Sequence, residues 1–371
     1  MKEHLFSYPD SLEPRRIRRA YTMKKILIIE SSPSLLTLLT EILEHIYEIY
    51  IATTENKVFK VLESERPDLI LLDTLLNDTD GYASLATVRM VHEYSQIPII
   101  LITSLSQSDN LKKKGFELGA VDYIYKPIDT EELKRRVNLH IELNTHKHAL
   151  ELIIQSRTRE LEQTKKALLY SMAHLAETRD HPTGEHLSRI EHYTRLLATE
   201  VSRLFPESLQ KEQIEIIAQS AVLHDIGKIS TPDHILLKSS PLTIEETQII
   251  QKHPLIGADS IRKTIMLLGE NPLLSVAAEI AESHHERYDG SGYPYGLVGE
   301  EIPLSARIVS LADVYDALTS ERPYKKAYSH EKALSIILHG DFRTKPEHFC
   351  PIVLQAFISV SKNLKDFMQT P

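Results

Sequence analysis

The chain has 371 residues, 42% of them hydrophobic, enough for two ordinary domains that each bury a core. Its 43 basic and 52 acidic side chains leave a formal net charge of −9, which argues against a general binder of nucleic acid or of membrane surfaces. The single cysteine, Cys350, excludes a disulfide framework, and no apolar run approaches the roughly twenty residues of a membrane span, so a reducing, cytoplasmic setting is expected.

Residues 1–22 are polar and basic, with Arg15, Arg16, Arg18 and Arg19 close together, and read as a solvated, disordered tail. Met23 opens a conventional strand and is a second candidate start. From 23 to 140, short apolar runs at 25–29, 47–52, 69–72, 97–102 and 121–125 alternate with stretches of helical periodicity. Buried parallel strands read as continuous apolar runs, so this region predicts a doubly wound α/β domain around a five-stranded parallel sheet. No proline or glycine interrupts the chain from Glu131 to Leu175, and Ile154, Leu161, Leu168 and Leu175 recur every seven residues. Arg157 and Thr164 spoil the companion row. The pattern predicts a long helix with a partial coiled-coil seam, with 141–170 a linker suited to a homodimer; the alternative is an amphipathic helix packed on its own domain. Residues 171–371 read as an all-α domain, with helix-like spacing at 211–223, 244–252, 274–283 and 308–318 and a glycine-rich loop at 289–299.

The chemistry concentrates in that last domain. It carries TGEHLSR at 183–189, HDIGK at 224–228, KHP around His253, HHERYDGSGYP at 284–294 and ADVYDALTSERPYK at 312–325. If His224 and Asp225 lie on a helix they point about 100° apart and flank a metal from one edge, with Lys228 on the face of His224. His284 and His285 form a second adjacent pair at a predicted helix end. With His186, His253 and Asp313 the set reaches five histidines and two aspartates, which suits Mn²⁺, Fe or Zn²⁺. That is more than one ion needs, and two ions bridged by Asp225 would use it. Two such ions activate a water and neutralise charge in phosphodiester displacement without a side-chain nucleophile. No GxSxG motif occurs in this half.

HDIGKI, HHERYDGSGYP and ADVYDALTSERPYK resemble the signature of the HD-GYP family, a branch of the HD-domain phosphohydrolases, over roughly residues 171–345. The resemblance implies hydrolysis of cyclic di-GMP to pGpG or onward to GMP by a hydroxide activated by two metals, Fe or Mn foremost. It implies metal ligation by His186, His224, Asp225, His253, His284, His285 and Asp313, catalysis through Asp225 and Lys228, and contacts of Tyr293, Arg322 and Lys325 with the dinucleotide. Some members carry a further metal-binding Glu four residues before the first histidine. Here Pro182 stands there, so two metals rather than three are expected. Glu177, Arg179 and Asp180 are expected to be structural, and Glu286 with Arg287 a salt-bridged surface pair. His174, His181 and His192 are read as surface residues. Asp316 is a weak candidate for guanine, while Asp289 and Ser291 serve either the substrate or the loop itself.

The α/β domain resembles a response-regulator receiver. Asp73 ends an apolar strand as a phosphoacceptor would, Thr103 closes the fourth strand, and Lys126 precedes Pro127 after the fifth. Tyr123 matches the aromatic that rotates with the threonine. The resemblance implies a cognate histidine kinase and a Mg²⁺ at Glu30 and Asp73. Ser31 replaces the second acidic residue and Asn77 stands where proline is usual, which weakens the Mg²⁺ site. Phosphorylation at Asp73 and a degenerate docking module are both compatible with these residues. The readings that compete with a cyclic di-GMP hydrolase are a non-catalytic cyclic di-GMP receptor and an HD-domain phosphohydrolase for another nucleotide.

Overall fold

The computed structural model describes residues 23–76, 80–104, 109–177, 185–321 and 326–368. The basic tail, Asn77, the 178–184 segment with Pro182, and Arg322 and Lys325 lie outside the described residues. Backbone contacts divide the chain into two units, residues 1–159 and 160–371. Among the described residues no helix is long and apolar enough to cross a membrane.

The first unit has the expected five parallel strands: β1 (Lys25–Ile29), β2 (Glu48–Ala52), β3 (Leu69–Asp73), β4 (Ile99–Ser104) and β5 (Asp122–Lys126). Their order is β2-β1-β3-β4-β5. Helices α1 (Pro33–Leu43), α2 (Glu55–Glu65), α3 (Gly81–Met90) and α4 (Asp109–Glu117) connect them. Every residue of β3 is buried, because helices cover both faces of the sheet; this is why the strand reads as LILLD rather than as an alternating pattern. Leu27, Ile29, Ile70 and Leu72 pack on one side, and Ile26, Ile28, Leu69 and Leu71 on the other.

Helix α5 (Thr130–Glu177) runs for 48 residues without a break. Its Leu133, Val137 and Ile141 complete the second face of the sheet. The heptad row Ile154, Leu161, Leu168 and Leu175 is 61–67% exposed, so it is not packed on its own domain.

The second unit is helical, as expected: α6 (Glu185–Leu204), α7 (Lys211–Ala221), α8 (Asp233–Leu236), α9 (Ile244–Ile250), α10 (His253–Leu268), α11 (Pro272–Ser283), α12 (Leu304–Thr319), α13 (His330–His339) and α14 (Pro351–Met368). Tyr193, Tyr315 and Phe357 fill its main core between α6, α12 and α14. A smaller cluster joins Ala173 of α5 to Leu187, Val222, Leu223, Ile261 and Ala277.

One local feature differs from expectation. Helix α7 stops at Ala221, so His224 and Asp225 do not lie on a regular helix. The backbone instead tightens into successive i→i−3 bonds, Leu223 to Ser220, His224 to Ala221 and Ile226 to Leu223, and continues as a 3₁₀ helix, Ile226–Ser230. In 3₁₀ geometry residues three apart eclipse, so Lys228 aligns with Asp225 and not with His224. Gly227 makes this turn possible. A Cβ there would lie 2.0 Å from the carbonyl oxygen of His253, and Gly257 faces it from α10. The two glycines let the turn and α10 touch backbone to backbone, which brings His253 beside Asp225.

Gly227→Ala should therefore force the turn and α10 apart. Overpacking of this kind costs about 1–3 kcal/mol. In a unit of this size that corresponds to a melting-point loss of roughly 3–10 °C by calorimetry. An unchanged melting point would show that the approach is not tight.

Candidate metal centre

The ends of separate helices and turns deliver the imidazoles. His186 comes from the first turn of α6, His224 and Asp225 from the turn after α7, His253 from the start of α10, and His284 and His285 follow α11. Each buried ring is anchored through Nδ1. His224 lies 2.9 Å from the carbonyl of Ala221, His253 2.7 Å from that of Ile250, and His284 3.1 Å from those of Ile280 and Ala281. A carbonyl can only accept, so Nδ1 carries a proton and Nε2 is the ring atom turned inward. This is the arrangement that prepares histidine to bind a metal.

These atoms form two quartets that share one carboxylate. Asp225, His253, His284 and His285 make the first, and Glu177, His186, His224 and Asp225 the second; within each, the candidate ligand atoms lie within 4.8 Å of one another. Asp225 Oδ1 is 3.1 Å from His253 Nε2 and 3.5 Å from His284 Nε2, and Asp225 Oδ2 is 3.2 Å from His224 Nε2. None of those three imidazole nitrogens, nor Asp225 Oδ1, nor either oxygen of Glu177, has a hydrogen-bond partner among the described residues. Buried polar atoms of folded proteins are nearly always partnered. Six orphaned atoms converging on one carboxylate therefore fit a pair of cations.

The electrostatics agree. Asp225 is fully buried, which opposes its charge, yet Lys228 and the surrounding imidazoles hold its carboxyl well below the usual range. Lys228 Nζ lies 2.7 Å from Asp225 Oδ2. Burial opposes a charge on His224, but Asp225, Asp313 and Glu177 raise it to about 9. Burial pushes the carboxyl of Glu177 up to about 7. Burial and the neighbouring imidazoles lower the pKa of His284 and push that of the half-buried His285 well below the usual range.

Several sequence expectations change here. Glu177 is not a structural flank: it is 1% exposed, its oxygens face the second quartet, and Oε1 is 3.8 Å from His186 Nε2. Asp316 is buried and held by protein partners rather than free for guanine; it lies 2.7 Å from His186 Nδ1 and accepts from Arg189 Nε at 2.6 Å. It thereby orients His186 as the carbonyls orient the other rings. Glu286 is not a surface partner of Arg287: buried, it accepts the backbone N–H groups of Tyr295 and Leu297 at 2.7 and 3.1 Å and pins the glycine-rich loop. Gly292 sits against it, where a Cβ would come within 2.5 Å of the Glu286 Cα. His174 and His192 are half-buried rather than on the surface.

Asp313 stands outside both quartets, although its charge reaches His224 and Tyr293. Tyr293 stacks on His285 with ring centroids 4.7 Å apart, so the loop forms one wall of the centre. Asp289 accepts from both the backbone and the hydroxyl of Ser291, a contact within the loop.

The first unit holds a separate site where the strands end. Glu30 and Asp73 are both 1% exposed. Lys126 binds Asp73 and lies 4.0 Å from Glu30 Oε2. Burial and the adjacent Asp73 raise the carboxyl of Glu30 to about 7, the mark of two acids sharing a dry site. Glu30 Oε1 accepts the N–H groups of Ser31 and Ser32 at 2.7 Å. Thr103 is buried, with its hydroxyl 3.2 Å from that of Thr74. Tyr123 points into the core, its hydroxyl donating to the carbonyl of Lys112 at 2.8 Å. Gly115 leaves room for it, since a Cβ there would meet the Tyr123 hydroxyl at 1.9 Å.

Residues 26–138 match the response regulator receiver domain family, and residues 170–341 match the HD domain family. A Vibrio cholerae protein named "Probable cyclic di-GMP phosphodiesterase" is 39% identical over 354 residues, covering 93% of this chain and 79% of that protein. The Xanthomonas campestris "Cyclic di-GMP phosphodiesterase response regulator RpfG" is 36% identical over 322 residues, covering 84% of this chain and 82% of that protein. A Vibrio cholerae "3'3'-cGAMP-specific phosphodiesterase 2" is 35% identical over 214 residues, 56% of this chain and 38% of that protein.

A cation entering the second quartet must displace the proton that its acidic neighbours favour on His224 at pH values below about 9. Affinity for Mn²⁺ should therefore rise with pH between 7 and 9, by about tenfold per unit for each proton released. Calorimetry in buffers of different ionisation heat reads that proton directly. Affinity independent of pH over this range would contradict the assignment.

Proposed function

Since the chain belongs to the HD-GYP family of response regulators, in which a receiver domain precedes an HD domain, we propose that it hydrolyses cyclic di-GMP to pGpG at a centre for two divalent cations bridged by Asp225. The observation that carries this reading is the pair of buried quartets meeting on one carboxylate. His253, His284 and His285 would hold one cation with Asp225, and His186 and His224 the other. Asp313 is the further carboxylate within electrostatic reach. When bound, such ions lower the pKa of water and offset the charge of a phosphodiester. Mn or Fe suits the mixed imidazole and carboxylate set.

The chain's own residues supply the rest. Lys228 places a cation beside Asp225, where it can pair with a phosphate oxygen. Tyr293, stacked on His285, offers an aromatic edge to a guanine base. Arg322 and Lys325 would add positive charge for the second phosphate. Further hydrolysis of pGpG to GMP is the finer question, and a relative named for 3'3'-cGAMP makes that dinucleotide the comparison substrate.

In the first unit, Asp73 is the proposed phosphoacceptor for a histidine kinase, with Lys126 and Thr103 reading the phosphoryl group and Glu30 assisting a Mg²⁺. The exposed heptad row of α5 is the proposed surface for a second copy of the chain.

Two experiments test these assignments. Anaerobically purified protein should convert cyclic di-GMP to pGpG faster than it converts 3'3'-cGAMP. Lys228→Ala should keep its metal but lose on the order of a hundredfold in kcat, the loss expected for removing one charge-stabilising donor. Absence of turnover of either dinucleotide in metal-replete wild type would overturn this reading and leave a receptor or a phosphohydrolase for another nucleotide. In the receiver, Ser31→Asp restores a carboxylate, so the Mg²⁺ needed to bind beryllofluoride at Asp73 should fall roughly tenfold, equal to about 1.4 kcal/mol. Beryllofluoride binding that ignores both Mg²⁺ and Ser31→Asp would identify the domain as a docking module.

A further inference from the structure

Glu177 is the last residue of α5, the helix whose first turns complete the core of the receiver sheet. Its carboxylate joins the second quartet from the end of this helix, inside the segment that matches the HD domain family. Both of its oxygens are buried and neither is hydrogen-bonded among the described residues. At 3.8 Å, His186 Nε2 is too far to be a hydrogen-bond partner, yet both groups aim at the same point as His224 Nε2. A buried carboxylate in this state needs a positive partner, and the quartet has the donor set of a transition-metal ligand shell.

The end of α5 is also firmly seated. Ala173 and Ala176 are buried against the small core cluster, and Leu169 and Tyr170 pack beside them. The Tyr170 hydroxyl donates to Glu191 of α6, and Lys166 Nζ lies 3.0 Å from the same carboxylate. Through these contacts the position of the last turn, and with it of Glu177, follows the position of the helix.

We propose that Glu177 is a ligand of the second cation and that α5, through this residue, sets how tightly that cation is held. The inference rests on the two-cation reading and adds to it a ligand that the seat of the helix end holds in place. Loosening that seat would withdraw one ligand and leave the first quartet intact.

The test uses the full chain, stripped of metal and titrated anaerobically with Mn²⁺, followed by calorimetry and electron paramagnetic resonance. Wild type should bind two Mn²⁺ and show the spectrum of an exchange-coupled pair. Glu177→Gln should keep the first site at near wild-type affinity, which also reports that the domain is folded. Its second site should weaken by more than about a hundredfold, beyond the loss of an outer-shell partner, and the coupled spectrum should give way to that of isolated Mn²⁺. Tyr170→Phe touches no candidate ligand and only loosens the seat of α5; it should weaken the second site roughly tenfold and spare the first. Wild type binding a single Mn²⁺ would overturn the two-cation reading and this inference with it. Two tight, coupled ions in Glu177→Gln would overturn the inference alone. Loss in Glu177→Gln with no change in Tyr170→Phe would overturn the role of the helix seat and keep the ligand.

Discussion

Asp225 is the residue on which the second unit is organised. A fully buried carboxylate is costly, and it is tolerated here because Lys228 and three imidazoles surround it. Holding that arrangement requires four stretches of chain to meet at backbone distance. Gly227 and Gly257 allow one of those approaches, and Gly292 allows the loop to lie against Glu286. Four of the five histidines are then aimed by a partner on the far side of the ring: His224, His253 and His284 by carbonyls at helix ends and His186 by Asp316. Helix ends suit this task because their last carbonyls have no partner within the helix.

The two units reach similar ends by different geometry. In the receiver, parallel strands stop at one edge and deliver Glu30, Asp73, Thr103 and Lys126 from four neighbouring strands. Strand order alone fixes that convergence, so substitution of one acid by Ser31 leaves the remaining residues in place. The HD domain has no such common edge. Its candidate ligands come from turns and helix termini separated by more than a hundred residues, and each position depends on its own local contacts.

This difference explains what could be read from the sequence. The five strands were legible because a doubly covered sheet writes itself as apolar runs. His224, Asp225, His284 and His285 were legible because ligands adjacent in sequence need no knowledge of the fold. Glu177 was not: it precedes a segment rich in turn formers and sits at the end of a helix whose pattern describes a connector. Asp316 was misread because its meaning lies in a partner 130 residues away. Glu286 and Arg287 show the same limit, since neighbouring opposite charges look like a pair until the buried direction of one is known. The helix assumed for the HD pair failed for a related reason: periodicity cannot distinguish a last α-turn from the 3₁₀ turn that eclipses Asp225 with Lys228.

The middle of α5 poses the remaining physical question. Its ends are held by packed cores, while Ile154, Leu161, Leu168 and Leu175 stay exposed. Covering an aliphatic side chain gains about 1.5–3 kcal/mol, so four such residues in one row favour a partner strongly. A straight α-helix drifts by roughly 20° per heptad relative to a seven-residue repeat. Two copies of α5 could keep the row in contact only by winding around each other with a left-handed twist. Such winding would fix the rotation of the helix about its axis along the exposed row, while its last turns stay packed against the small core cluster of the second unit.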